Sequence, residues 1–196
     1  MPTLSTRLDS VCVYCGSSPR ADPRLLKAAA ALGRQLADGG LRLVYGGGGV
    51  GLMGACAKAA HQAGGRVLGV IPQFLTGHEH PLASIETVVV TSMHERKMRM
   101  FEEADGFAVL PGGIGTLEEA IELLSWRRLG LHVKPIVFYN PGGFWSHLFD
   151  LFAQMTDQAL TPEEFRACWR AVDDIEAIVP ALREMPTDVF TIPIGT

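Results

Sequence analysis

The chain has 196 residues, of which 47% are hydrophobic and 19% charged, with 17 Lys and Arg against 21 Asp and Glu for a formal net charge of -4. That length suits one domain with a sizeable core, and that composition excludes disordered and fibrous chains. The acidic balance, without a block of Lys or Arg, argues against polymeric nucleic acid as a partner, and no apolar run is long enough to span a bilayer.

From the N-terminus, MPTLSTRLDS carries no apolar segment of signal-peptide type, so a secretory signal is not expected and the expected location is the cytoplasm. Short runs rich in Val, Ile and Leu then alternate with longer helix-like stretches. The pattern predicts strands at 10–14, 41–45, 66–71, 86–90, 106–110 and 135–139. Helices are predicted at 23–37, 50–63, 93–104, 116–129 and 144–155, followed by a helical C-terminal region. This alternation is the signature of βα units, and several strands read as continuous apolar runs, as strands covered on both faces do. The expected fold is a single α/β domain over 1–196, a doubly wound Rossmann-like parallel sheet with helices on both faces.

Ligands of such sheets bind at the carboxyl ends of the strands, where loops and helix N-termini collect. Strand one runs into Gly16-Ser17-Ser18, strand two into Gly46-Gly47-Gly48-Gly49, and strand five into Pro111-Gly112-Gly113-Ile114-Gly115-Thr116. These small-residue loops should converge on one edge. Gly46, Gly48 and Gly51 fit G-x-G-x-x-G after a strand, but no Asp or Glu lies between Gly39 and His78 to read a dinucleotide ribose. The motif therefore reads better as a mononucleotide loop, or as a tight turn with close helix–sheet packing, than as an NAD(P) site. No G-x-x-x-x-G-K-[ST] occurs.

In PGGIGTLEE, bare backbone and the Thr116 hydroxyl suit a phosphate at a helix start. Thr116 and Glu119 also match a capping box, in which Glu119 would serve only the helix. Glu118 points about 100° away from Glu119. In SMHERKMRM, Ser92 and Glu95 match a second box, while Arg96 and Lys97 fall in the first turns, where the helix dipole opposes cations and an anionic partner would compensate. His78-Glu79-His80 lacks the spacing of a metal motif, so no metal site is expected, although Glu79 remains a pocket candidate. Cys12 and Cys15 form a C-x-x-C with no second pair, which reads as buried strand residues in preference to a redox or zinc site.

Taken together, YCGSS, VYGGGGVGLMG, SMHERK and PGGIGTLEE resemble, in order and spacing, the LONELY GUY family of cytokinin riboside 5′-monophosphate phosphoribohydrolases, over about residues 11–139. Some relatives carry the older label lysine decarboxylase, yet no lysine here sits in a recognisable pyridoxal phosphate setting. The resemblance implies catalytic roles for Arg96 and Glu119. It implies a nucleotide pocket formed by Lys97 and the loop Gly112, Gly113, Ile114, Gly115, Thr116, Leu117 and Glu118, bordered by Gly46, Gly47 and Gly48. Gly16, Ser17, Glu79 and Met93 complete the candidate substrate-binding set. It also implies a homodimer, a small nucleotide substrate (AMP or N6-modified AMP) and no cofactor.

The residue types suit that chemistry. Breaking the C1′–N9 bond of a purine riboside 5′-monophosphate generates oxocarbenium character, which a carboxylate stabilises directly or by activating water. Arg96 does not readily give up a proton, so its role is to hold substrate and counter charge. The competing class is a non-catalytic nucleotide or cofactor carrier of the same fold, which needs the glycine loops but not the Arg96–Glu119 pair. An NAD(P) oxidoreductase would need a ribose-reading carboxylate that is not found.

Overall fold

The computed structural model describes residues 8–186. One sheet is built from β1 Ser10–Tyr14, β2 Arg42–Tyr45, β3 Val67–Pro72, β4 Glu86–Val90, β5 Gly106–Val109, β6 Ile136–Tyr139 and β7 Arg170–Val172. Its order is β4-β3-β2-β1-β5-β6-β7, and every neighbouring pair is parallel. The sheet grows outward in two wings from β1, so the doubly wound architecture expected from the βα alternation is the one formed. The reversal of strand order falls between β1 and β5, which opens a crevice at their carboxyl ends.

The helices are α1 Pro23–Asp38, α2 Gly51–Gln62, α3 Thr76–Glu79, α4 Met93–Glu102, α5 Ile114–Arg128, α6 Ser146–Asp157 and α7 Ile178–Glu184. Side chains alternate along each strand, so β1 feeds both layers. Val11 and Val13 join a core with Leu32, Leu52 and Leu182 from α1, α2 and α7. Cys12 and Tyr14 join the opposite core with Met100, Leu123 and Phe152 from α4, α5 and α6. Covering on both faces is why these strands read as unbroken apolar runs. α1 starts on an Asp22 cap, whose Oδ1 accepts from the Arg24 N–H at 2.8 Å, with Pro23 in the first turn. α1 and α2 pack backbone to backbone, because a Cβ at Gly33 would overlap the Cys56 carbonyl oxygen.

The C-x-x-C residues belong to different layers. Cys12 lies in one core and Cys15 in the other, and Cys12, Cys15, Cys56 and Cys168 are all buried free thiols. Burial pushes Cys12 and Cys15 well above the usual thiol range and Cys56 up to about 12, so none of these three is a thiolate at neutral pH.

Three expectations are corrected. The helical C-terminal region contains β7, a three-residue edge strand paired with β6, besides α7 and two 3-10 turns. Three residues of mixed exposure carry too little periodicity to announce a strand. The connection from β3 to β4 holds a 3-10 turn at Gln73–Leu75 and the short helix α3, where no element was expected. Finally, α5 begins at Ile114 rather than Thr116, with Gly113 as its N-cap and no side-chain cap bond. Thr116 therefore lies in the first turn, past the cap, and Glu119 in the helix interior, and the capping-box reading of that pair does not hold.

Candidate active site

The loops after β1 and β5 dock directly on each other. The Gly16 N–H donates to the Pro111 carbonyl at 3.1 Å, and the Met53 N–H of α2 donates to the Gly16 carbonyl at 3.3 Å. Between them opens a cleft of about 320 Å³, large enough for part or all of a small ligand. The start of α5 forms one wall. A Cβ at Gly113 or Gly115 would meet nothing within 4 Å, so the backbone there is open to a ligand. At Gly112, by contrast, a Cβ would overlap the buried Thr116 side chain, so this glycine lets the first turn fold back over the loop. The first-turn N–H groups have no intrahelical partner, and the helix end carries about half a positive charge.

Arg96 comes from α4. Ser92 caps that helix, its Oγ accepting from the Glu95 N–H at 3.1 Å, while the Glu95 carboxylate reaches back to Thr91, accepting from N–H at 2.8 Å and from the hydroxyl at 2.7 Å. The box predicted at Ser92 thus forms, with Glu95 reaching one residue beyond the cap. The Arg96 side chain crosses the sheet ends, where Nε donates to the Val70 carbonyl at 3.2 Å and Nη2 to the Gly46 carbonyl at 3.0 Å. Its Nη1 lies 3.7 Å from Glu119 Oε1, close enough for ion pairing and too long for a hydrogen bond. Both side chains are nearly enclosed, at 6% and 10% exposure. Burial pushes the Glu119 carboxyl up to about 7; Glu118 and Glu79 act in the same direction, and the Arg96 guanidinium pulls it back without offsetting the burial.

The glycines after β2 are filled by the protein itself. A Cβ at Gly46 would overlap the Arg96 guanidinium, one at Gly48 would lie 3.0 Å from Glu79 Oε2, and one at Gly49 would overlap the His80 carbonyl. Gly47 adopts φ +80° with Ile71 against it. The G-x-G-x-x-G string therefore serves close packing, and it borders the cleft through Arg96 and Glu79 without lining it. Glu79 ends α3 and its Oε2 is buried with no hydrogen-bond partner, while His78 and His80 on either side are exposed. Among the described residues no group of three or more His, Cys, Asp or Glu is placed to hold a metal ion.

Of the candidates from the sequence, Gly16, Ser17, Glu79, Arg96, Gly113, Gly115, Thr116 and Glu119 line this cleft. Gly112 supports it, whereas Met93, Ile114, Leu117 and Glu118 do not line it. Lys97 points instead to the outer face of α5, its Nζ 2.6 Å from Glu118 Oε1 and 3.0 Å from Glu122 Oε2. Cys15, Ser18 and Met53 line it as well and lie outside the candidate set. Ser18 belongs to the Gly16-Ser17-Ser18 loop already placed at the binding edge and Cys15 precedes it, so both were within reach of the same loop argument; nothing local in the sequence marks Met53.

Residues 53–182 match the family described as "Possible lysine decarboxylase". The chain is 38% identical over 185 residues to cytokinin riboside 5′-monophosphate phosphoribohydrolase LOG7 of Arabidopsis thaliana, covering 94% of this chain and 85% of that protein. It is 42% identical over 164 residues to cytokinin riboside 5′-monophosphate phosphoribohydrolase LOG of Oryza sativa subsp. japonica, covering 82% and 67%. Among solved structures, the molybdenum cofactor binding protein of Rippkaea orientalis superposes with a TM-score of 0.63 at 24% identity, covering 90% of this chain and 96% of that one. The Moco carrier protein of Chlamydomonas reinhardtii gives 0.68 at 20% identity, covering 91% and 98%. These two likenesses establish the shared fold alone. The sequence relatives, 38–42% identical and similar over most of their length, place the chain in the LONELY GUY family of cytokinin riboside 5′-monophosphate phosphoribohydrolases.

Proposed function

We propose that the chain is an N-glycosidase that hydrolyses a purine riboside 5′-monophosphate to free base and ribose 5-phosphate. The observation that carries this reading is the enclosed Arg96–Glu119 pair facing a cleft whose other wall is an open, glycine-rich helix start. The 5′-phosphate sits on the N–H groups from Gly113 to Thr116, where the α5 dipole favours an anion. The ribose then faces Glu119, which acts at C1′ through its charge or by moving a proton. Arg96 holds the substrate and counters its charge. Lys97, with Glu118 and Glu122 on α5, ties α4 to α5 and so keeps Arg96 opposite Glu119.

A carrier would use the glycine loops without this pair, so its assembly favours the enzyme. A homodimer is supported by Ile114 and Ile121, one heptad apart on α5 and exposed at 82% and 39%, an apolar stripe that starts at the cleft and that a second copy would cover. No helix among the described residues is long and apolar enough to cross a membrane, and the free cysteines suit a reducing compartment such as the cytoplasm. The test is incubation with AMP and, in parallel, with isopentenyladenosine monophosphate, followed by chromatography for free base. Release from either supports the reading, the ratio of the rates gives the base preference, and binding without release would make the protein a carrier.

A further inference from the structure

The cleft has an electrostatic problem that its ligand makes worse. Its lining holds one cation, Arg96, and two carboxylates, Glu79 and Glu119. Arg96 is already engaged with the carbonyls of Val70 and Gly46 as well as with Glu119. Lys97, the next cation along α4, is held by Glu118 and Glu122. Glu79 Oε2 is buried without a partner. A nucleoside 5′-monophosphate near neutral pH brings a phosphate approaching two negative charges into this space. The α5 N-terminus supplies about half a positive charge against it. Beside the nearly buried Glu119 side chain, neighbouring negative charges of this number disfavour full ionisation, and uptake of a proton by one carboxylate relieves the repulsion.

We propose, resting on the reaction assigned above, that substrate enters this cleft together with one proton, which is carried by Glu119 and then delivered to the departing base. Glu119 is the member of the pair that burial and its surroundings favour as the carrier. The groups around it are Arg96 and Lys97 from α4, Glu118 from α5, Glu79 from α3, and Cys12, Tyr14 and Cys15 from β1 and its end. Burial holds the β1 thiols and phenol well above their usual ranges, so they neither donate nor compensate charge at pH 8.

The step balances. The Glu119 carboxylic acid gives its proton to a ring nitrogen of the purine as the C1′–N9 bond breaks and its electron pair passes to the base. Glu79 supplies the negative charge toward the oxocarbenium-like ribose. Water adds to C1′ and yields its proton to the Glu119 carboxylate, which regains the protonated form, and that proton leaves with ribose 5-phosphate when the site empties. Glu119 thus serves first as acid and then as base. The negative charge that faces C1′ comes from a residue on a different element.

The experiment is calorimetric titration of the intact protein with ribose 5-phosphate at pH 8, where the phosphate is fully ionised, in buffers of different ionisation enthalpy, with base release from AMP measured on the same preparation. The expected result is a heat that varies with the buffer by about one proton taken up per site. Glu119→Gln should bind with a buffer-independent heat, and Glu79→Gln, which removes the repelling carboxylate, should take up less than about half a proton. A buffer-independent heat in the wild type, or uptake that persists in Glu119→Gln, overturns the proposal even when AMP is hydrolysed. Absence of base release from AMP overturns the assigned reaction and with it the delivery step, whatever the proton count.

Discussion

Arg96 Nη1 and Glu119 Oε1 stand 3.7 Å apart, from α4 and α5, with both side chains almost closed to solvent. The separation allows attraction without a direct hydrogen bond, so each group keeps hydrogen-bonding capacity for a ligand. The pair also explains Gly46, because only a residue without a side chain leaves room for the guanidinium.

Glu119→Gln tests the carboxylate. Base release from AMP should fall about 100-fold or more, as when one electrostatic stabiliser or acid–base group is removed from an active site. Stability should move the other way. The folded-state value of about 7 lies above the ordinary 4.5, so the carboxyl favours the folded state fully below about 4.5, and that contribution is lost as pH rises through 7. Ionised burial then costs on the order of 3 kcal/mol. The variant should melt several degrees above the wild type at pH 8 and close to it near pH 4.5, a difference readable by calorimetry. Equal melting temperatures at pH 8 would contradict the burial argument.

Gly46→Ala tests the seat of the guanidinium. The added methyl overlaps the Arg96 Nη2 that bonds the Gly46 carbonyl, so the buried guanidinium must shift and weaken that bond, and stability should fall by about 2 kcal/mol or more. Displacing the guanidinium by about 1 Å should lower turnover on the order of 10- to 100-fold. Gly64→Ala is the control: a Cβ there meets nothing within 4 Å but φ is +78°, so it should cost about 1 kcal/mol and leave turnover unchanged.

Gly115→Asp tests the phosphate wall. Its Cβ has open space, and an acidic side chain in the first turn of α5 suits the helix dipole, so the fold should be kept or stabilised by about 0.5 kcal/mol. The same charge repels phosphate, and KM for AMP should rise about 10-fold or more while the melting temperature holds. A crystal soaked in AMP should show the phosphate against residues 113–116; phosphate elsewhere with this loop empty would refute the wall.

Ile121→Lys tests the dimer. An exposed apolar side chain on α5 is exchanged for a charge, so a monomer should tolerate it within about 0.5 kcal/mol, whereas a dimer using this face should dissociate. Sedimentation velocity of the wild type and the variant distinguishes the outcomes.

The fold was legible because it is periodic. Apolar runs of strand length alternating with helical segments specify a parallel sheet covered on both faces, and the run of small residues after β1, β2 and β5 locates the binding edge. The motifs around Arg96 and Glu119 likewise single out both residues of the pair. What local pattern does not contain is distance between segments. The Arg96 guanidinium bonds to the Gly46 carbonyl 50 residues away, and that contact turns a glycine string with the look of a nucleotide loop into a seat for a side chain. α5 starts at Ile114, just after the Pro111 carbonyl that accepts from the Gly16 N–H, so Glu119 lies in the helix interior and not at a capping position. The pairing of Lys97 with Glu118 and Glu122, the unpartnered Glu79 oxygen and the part played by Met53 arise in the same way. Periodicity is a property of neighbouring residues and survives in the bare sequence; burial, charge pairing and a displaced carboxyl pKa are properties of segments brought together, and only the packed structure supplies them.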